Sequence, residues 1–414
     1  MATGPLNTVR EKGEGESNTR TRALPAAASL RSHPHLLCSN LSTALTPPSP
    51  KDTNNRTVSY VRNGSLVISP KLTASMIGEA GLMSADVNRE SVAAGARRAS
   101  ALLTCSSPAT SAVSRRKRAR ASLTWQNRRH RRLLTPFPPP FLAVWGGDPA
   151  TACTDNGFFG CERTGGGGGN IINPVLSARL RTAESFAFKY GRVEVVARLP
   201  RGDWMWPAIW LMPTNAAYGT WPASGEIDIV ESRGNARGYA PGGCESMSST
   251  LHYGPFWPAD DYLAAHESYS APSGDLTTDF HTYGLLWTQE RLTTYIDSTV
   301  VLDVAVNESF WARGGWAASA PGATNPWADS PNNVAPFDQR MYIILNVAVG
   351  GTNGYFPDGA GGKPWQDTSN NAANEFWGAN AQWLPTWTSP MMVDSVRVWQ
   401  DPAQGGDYAL RPML

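Results

Sequence analysis

The chain has 414 residues, 39 of them Gly and 32 Pro, with 17% charged and a formal net charge of +2. That length supplies a core of ample size, as one large β domain or two ordinary ones. Many short apolar runs, frequent turn residues and no long segment of helical periodicity argue against a helical architecture and for a turn-rich sandwich. No run of about 20 apolar residues offers a membrane span.

In chain order, the first strong feature is basic. Residues 89–132 hold 12 of the 36 Lys and Arg and one acid, Glu90, so this stretch carries +11 and the remainder stands at −9. Arg115-Arg116-Lys117-Arg118-Ala119-Arg120 taken alone reads as a nuclear-localisation or polyanion-binding patch. Arg, Ser and Ala with few large apolar residues cannot build a core, so residues 88–142 are expected to be a disordered insertion, and a nucleic-acid role ranks last. The glycine run at 165–169 lacks the Lys-Ser/Thr and the strand-to-helix context of a phosphate cradle, and reads as a loop. Strand pairs follow at 185–199 with a turn at Gly191, at 283–304 with a turn near Asp297-Ser298, and a further strand at 341–349.

Between these lies Gly225-Glu226-Ile227-Asp228-Ile229-Val230-Glu231, three carboxylates in a β-branched run. Side chains alternate along a strand, so Glu226 and Asp228 share one face and Ile227 and Ile229 the other. Regular alternation would throw Glu231 onto the isoleucine face; one extra residue, a β-bulge at about Ile229 and Val230, brings it back. Three like charges on one face repel, so at least one stays protonated near neutral pH. Two such carboxyls can serve as nucleophile and general acid in glycoside hydrolysis with retention. An acidic strand can instead pair with Lys or Arg across the sheet, or hold a divalent cation. The surroundings favour the sugar reading. Trp204, Trp206, Trp210 and Trp221 precede the acids, and Leu251-His252-Tyr253 and Trp257 follow them. Pyranose rings stack their C–H faces on aromatics and offer hydroxyls to charged or amide groups. Trp206 and Trp210 are the indoles expected to face a cleft.

The run Trp206-Pro207-Ala208-Ile209-Trp210-Leu211, followed by Trp221-Pro222-Ala223-Ser224-Gly225-Glu226-Ile227-Asp228-Ile229-Val230-Glu231, resembles glycoside hydrolase family 16 in its laminarinase (endo-1,3-β-glucanase) branch. The likeness extends to Tyr190-Gly191-Arg192, Thr250-Leu251-His252, Leu345-Asn346-Val347 and Val393-Asp394-Ser395. It covers 51–87 and 143–404, leaving 1–50 unmatched, expected disordered, and the 88–142 insertion foreign to the fold. It implies an all-β jelly-roll sandwich of two curved antiparallel sheets with a concave cleft. It further implies retaining endo-hydrolysis of β-1,3-glucan, with Glu226 as nucleophile, Glu231 as acid/base and Asp228 tuning both. Trp206, Trp210, Trp221, His252, Arg179, Asn173 and Trp257 would bind substrate. No cofactor is required; a structural calcium with Asp394 among its ligands is implied. The implied protein is a secreted monomer whose partner is the polysaccharide, with no nucleic acid and no membrane span. A non-catalytic β-1,3-glucan recognition protein and a transglycosylase are the alternatives on the same scaffold.

Five cysteines leave at least one unpaired, and Cys153 and Cys161 sit at a spacing that can close a small disulfide. Sequons at Asn40, Asn55, Asn63 and Asn307 are compatible with an oxidising compartment, although no charged n-region and apolar h-region open the chain. The unmatched N-terminal part raises the expectation of a sandwich lacking an edge.

Overall fold

The computed structural model describes residues 58–87 except 78 and 85, residues 163–165, and residues 169–410 except 184, 402 and 404. Of the remainder only the two-residue strands Ala44–Leu45, Leu102–Leu103 and Leu123–Thr124 are described. The rest of 1–50 and 88–142, and the Cys153 and Cys161 pair, lie outside the described residues.

The main strands in chain order are β1 (Ser59–Arg62), β2 (Ser65–Ile68), β3 (Arg179–Arg181), β4 (Phe186–Lys189), β5 (Gly191–Arg198), β6 (Met205–Pro213), β7 (Glu226–Ser232) and β8 (Ser246–His252). They continue with β9 (His266–Ser270), β10 (His281–Trp287), β11 (Arg291–Ile296), β12 (Thr299–Ala305), β13 (Met341–Val349), β14 (Met391–Trp399) and β15 (Asp407–Leu410). They form a jelly-roll sandwich of two antiparallel sheets. One sheet runs Ala44–Leu45, β3, β13, β6, β7, β8, β9, with β4 joining β13 to β15. The other runs β12, β11, β10, β5, β14, β2, β1.

Alternation along the strands sends Ile209, Leu211, Ile227 and Ile229 of the first sheet, and Val193, Val195, Leu285 and Val393 of the second, into one core where all are fully buried. Each such side chain contributes about 1.5–3 kcal/mol of transfer free energy. A second cluster around Trp204, Phe356, Trp365 and Trp383 lies under the loops beside β6 and the end of β13. Among the described residues six tryptophans, at 204, 287, 316, 327, 365 and 383, are buried. No helix among the described residues is long and apolar enough to cross a membrane.

The turn at Asp297-Ser298 joins β11 to β12, with Asp297 at φ 52°. The pair expected across Gly191 is not a hairpin. β4 pairs with β13 and β15, whereas β5 pairs with β10 and β14 in the other sheet. Tyr190 and Gly191, at φ 56° and 135°, carry the chain from one sheet to the other. A Cβ at Gly191 would collide with the Trp399 carbonyl oxygen, so the corner admits only glycine. Local alternation looks the same on both sides of such a corner; only sheet membership distinguishes it from a hairpin.

Candidate active site

The register of β7 defines the site. Against β6, Leu211 faces Ile227 and Trp210 faces Asp228, but Ile209 then faces Val230, so Ile229 is the extra residue. The shift against β8 falls in the same place, between Asp228 and Glu231. Ile229 and Val230 both enter the core, and Glu231 returns to the face that carries Glu226 and Asp228. The Ile229 carbonyl, displaced from the ladder by the bulge, accepts the buried Ser249 hydroxyl at 2.6 Å. Entry to the strand is equally constrained: Gly225 has φ +79°, and a Cβ there would lie 3.0 Å from the Phe337 ring.

Each glutamate holds an indole. Trp221 Nε1–H donates to Glu226 Oε2 at 2.6 Å, and Trp206 Nε1–H donates to Glu231 Oε1 at 2.9 Å. Opposite Glu226 on β8 stands His252. Its Nδ1 meets Asp260 Oδ2 at 2.7 Å, and its Nε2 lies 3.3 Å from the buried Asp228 Oδ2. Asp260 is itself fixed by the Tyr253 backbone N–H at 3.1 Å. Burial alone would lower the imidazolium, but the nearby Asp228 carboxylate and the hydrogen bond to Asp260 outweigh it and push it up to about 11. His252 is therefore a cation set among acids at neutral pH. Burial, then the charge of Asp228, raises Glu231 to about 7, against the opposing pull of His252, the Trp206 hydrogen bond and Arg233. The same two causes raise Glu226 well above the ordinary carboxylate range, with His252 and the Trp221 N–H opposing them. A site of this kind keeps a proton available to one glutamate while indole and imidazolium donors stabilise the charge on the other.

The remaining predicted residues fall around this face. Trp210 Nε1–H donates to Asn346 Oδ1 at 2.6 Å, and the Arg179 guanidinium lies 5.0 Å over the Trp210 ring. Ala208 faces Glu231 across the sheet. Trp257 is 68% exposed and lies 5.5 Å from Trp221, extending an aromatic surface outward from Glu226. Asn173 is buried, and its carbonyl receives the Thr73 hydroxyl at 2.6 Å. Asp394 is exposed at a bulge where Val196 pairs with Ser395 and Ala197 with Val393. Among the described residues no three His, Cys, Asp or Glu side chains converge as a metal site, at Asp394 or elsewhere. Cys244 is buried and unpaired.

Four residues of the site carried no assigned role in the sequence reading: Asn346, Asp260, Arg233 and Tyr355. Tyr355 stacks parallel on Trp206, ring centroids 3.7 Å apart, so a sugar meets only the other side of that indole. Asn346 stands within the quoted Leu345-Asn346-Val347 run, Arg233 follows Glu231 by two positions, and Asp260 follows His252 by eight. Tyr355 arrives from a glycine-rich loop after β13, and nothing local marks it.

The family model described as "Glycosyl hydrolases family 16" matches residues 171–322. A shrimp protein named "Beta-1,3-glucan-binding protein" (Penaeus monodon) is 49% identical over 269 residues, 63% of this chain and 72% of its own length. "Glucan endo-1,3-beta-glucosidase A1" from Niallia circulans is 36% identical over 177 residues, 42% of this chain and 22% of that protein. Among solved structures, the laminarinase catalytic domain of Thermotoga maritima is 25% identical, with a TM-score of 0.38, covering 56% of this chain and 72% of that one. The chain spans about half the length of the insect relatives it matches, 46% in one Manduca sexta protein.

Proposed function

The chain belongs to glycosyl hydrolase family 16, in the group that includes the β-1,3-glucan-binding proteins, and on that premise we propose that it is a retaining endo-hydrolase of β-1,3-glucan. One observation carries the reading: two glutamates on one strand face, separated by a bulge, each receive a tryptophan N–H, and burial holds at least one protonated.

The Trp221 indole holds Oε2 of Glu226, which leaves Oε1 to attack the anomeric carbon. As that C–O bond forms, the bond to the leaving sugar breaks and Glu231 passes its proton to the departing oxygen. Water then attacks the glycosyl-enzyme, Glu231 takes the proton back, and Glu226 is released. Asp228, paired with the His252 cation, sits between the two and raises both. Arg179, Trp210 and Asn346 line the same face with donors and an aromatic surface suited to sugar hydroxyls and C–H faces. The enzyme named from Niallia circulans supports this reading. Reducing ends released from laminarin by the parent and by Glu226→Gln test it; equal release from both sinks the assignment.

The shrimp relative's name favours a second reading, a protein that binds β-1,3-glucan without cutting it. Retention of laminarin by the parent with no product over extended incubation would select it. Products larger than the substrate would instead reveal transfer to sugar acceptors.

A further inference from the structure

Arg233 lies two residues beyond Glu231, past the end of β7, and is an unusual cation. Its Nε and one terminal nitrogen donate to the Tyr355 carbonyl at 2.9 and 2.7 Å, and the other terminal nitrogen donates to the Pro241 carbonyl at 2.7 Å. These donors are spent on neutral acceptors, and among the described residues Arg233 forms no salt bridge with a carboxylate. The guanidinium lies 3.9 Å over the Tyr355 ring, whose opposite face is stacked on Trp206. Guanidinium, phenol ring and indole form one column, ending in the Trp206 N–H on Glu231. The Tyr355 side chain adds no hydrogen bond: its hydroxyl is buried and has no partner among the described residues. Its ring is what the column uses. The Tyr355 loop is anchored beyond the column by buried Lys363, which bridges Asp358 and Asp367 at 2.5 Å each, and by Trp365 Nε1–H on the Gly351 carbonyl at 2.7 Å.

We propose that Arg233 and Tyr355 are positioning residues for Glu231: they lock the Trp206 indole so that its N–H stays on the carboxyl, and they hold a cation beside it. The inference rests on the assignment of Glu231 as the acid/base. The groups that face Glu231 are Glu226 and Asp228 on its own strand, His252 on β8, Arg233, and Tyr355 from the loop. Of the two cations, His252 is shared with Asp228 and Asp260, whereas Arg233 forms no salt bridge among the described residues and donates to backbone carbonyls. Removing Arg233 or breaking the stack should therefore make Glu231 a weaker acid, without changing which bond is cleaved.

The test reads Glu231 directly, by 13C NMR titration of glutamate side-chain carboxyls in the full chain, with its resonance identified by loss in Glu231→Gln. Arg233→Met and Tyr355→Leu are expected to raise the midpoint by roughly one pH unit. Arg233→Lys restores charge without the fork and returns the midpoint towards the parent. Tyr355→Phe keeps the ring and shifts the midpoint less than Tyr355→Leu does. Kinetics give the second readout. The variants lose about tenfold in kcat/KM on laminarin, where the leaving sugar needs a proton, and much less on a dinitrophenyl β-glucoside, whose leaving group does not. Should Tyr355→Leu fail to fold, Trp206→Phe removes the N–H at the end of the column and decides by the same midpoint. An Arg233→Met midpoint unchanged from the parent overturns the proposal. A parent that shows these shifts but releases nothing from laminarin retires the hydrolase reading and leaves the column standing. A parent that cleaves laminarin while the midpoint ignores Arg233 retires the column alone.

Discussion

The two flanks of β7 present the same chemistry, a glutamate receiving a tryptophan N–H, in opposite surroundings. On the Glu231 flank, Trp206 is covered by Tyr355, Tyr355 by Arg233, and Arg233 is closed off by the Pro241 and Tyr355 carbonyls. On the Glu226 flank, Trp221 leans on Trp257, which is 68% exposed, and on His252, whose ring also lies 5.4 Å from that of Tyr262. One flank is packed for order and the other opens to solvent. On the proposed reading, these two identical residues five positions apart take different tasks from their neighbours: a proton donor benefits from a fixed partner, and a nucleophile must be reached by substrate.

The largest test of that contrast is chemical. Glu226→Gln should abolish turnover of laminarin and of a dinitrophenyl β-glucoside alike. Glu231→Gln should cost about 10²–10⁴-fold on laminarin and far less on the activated substrate. Equal losses on both substrates from both variants would erase the division of labour between the flanks.

Deleting the indole donors comes next. Trp206→Phe and Trp221→Phe each remove a hydrogen bond to a charged or part-charged acid, and about ten- to hundredfold losses in kcat/KM follow. They should differ in pH profile. With Glu231 as the acid, the parent's kcat/KM should fall as pH rises through about 7, because that residue must carry its proton to act. Trp206→Phe moves that alkaline limb upward, while Trp221→Phe moves the acid limb upward, since Glu226 must be ionised to attack. Identical displacement of one limb by both would contradict the pairing.

Smaller effects belong to the open flank. Trp257→Ala removes a stacking surface and should raise KM by about three- to tenfold at nearly constant kcat. Unchanged KM on laminarin chains of every length would take Trp257 out of the binding surface. His252 supplies the smallest signal, in stability. Its imidazolium is held up from the ordinary 6.5 to about 11, so the stabilisation it brings is complete below 6.5 and drains as pH rises towards 11. The parent's Tm should therefore decline more steeply between pH 7 and 10 than that of His252→Gln; parallel curves would show that the pairing with Asp228 and Asp260 adds nothing to folding.

Much of this was legible in residue order because its causes are local. The acids of β7 and the phase error between Asp228 and Glu231 demand a bulge whatever the rest of the chain does, and the register places it at Ile229. The turn at Asp297-Ser298 is equally local. Gly191 was misread as a hairpin turn for the complementary reason: alternation predicts a strand on either side of it and is silent about which sheet each strand joins. Asp260 and Tyr355 escaped because a lone Asp or Tyr in a loop has no periodicity to announce it.

Residue order by itself thus determined the strand, its three acids and the bulge that aligns them, all consequences of side-chain alternation along one segment, while its motifs carried the family resemblance. Only the tertiary structure decided how the acids differ. Which carboxyl is locked by a stacked indole, and where the Arg233 cation stands, depend on segments more than a hundred positions apart, brought together when the loop carrying Tyr355 closes over β6 and β7. Proton affinity is set by burial and by charges a few ångströms away, and those distances exist only once the chain has folded.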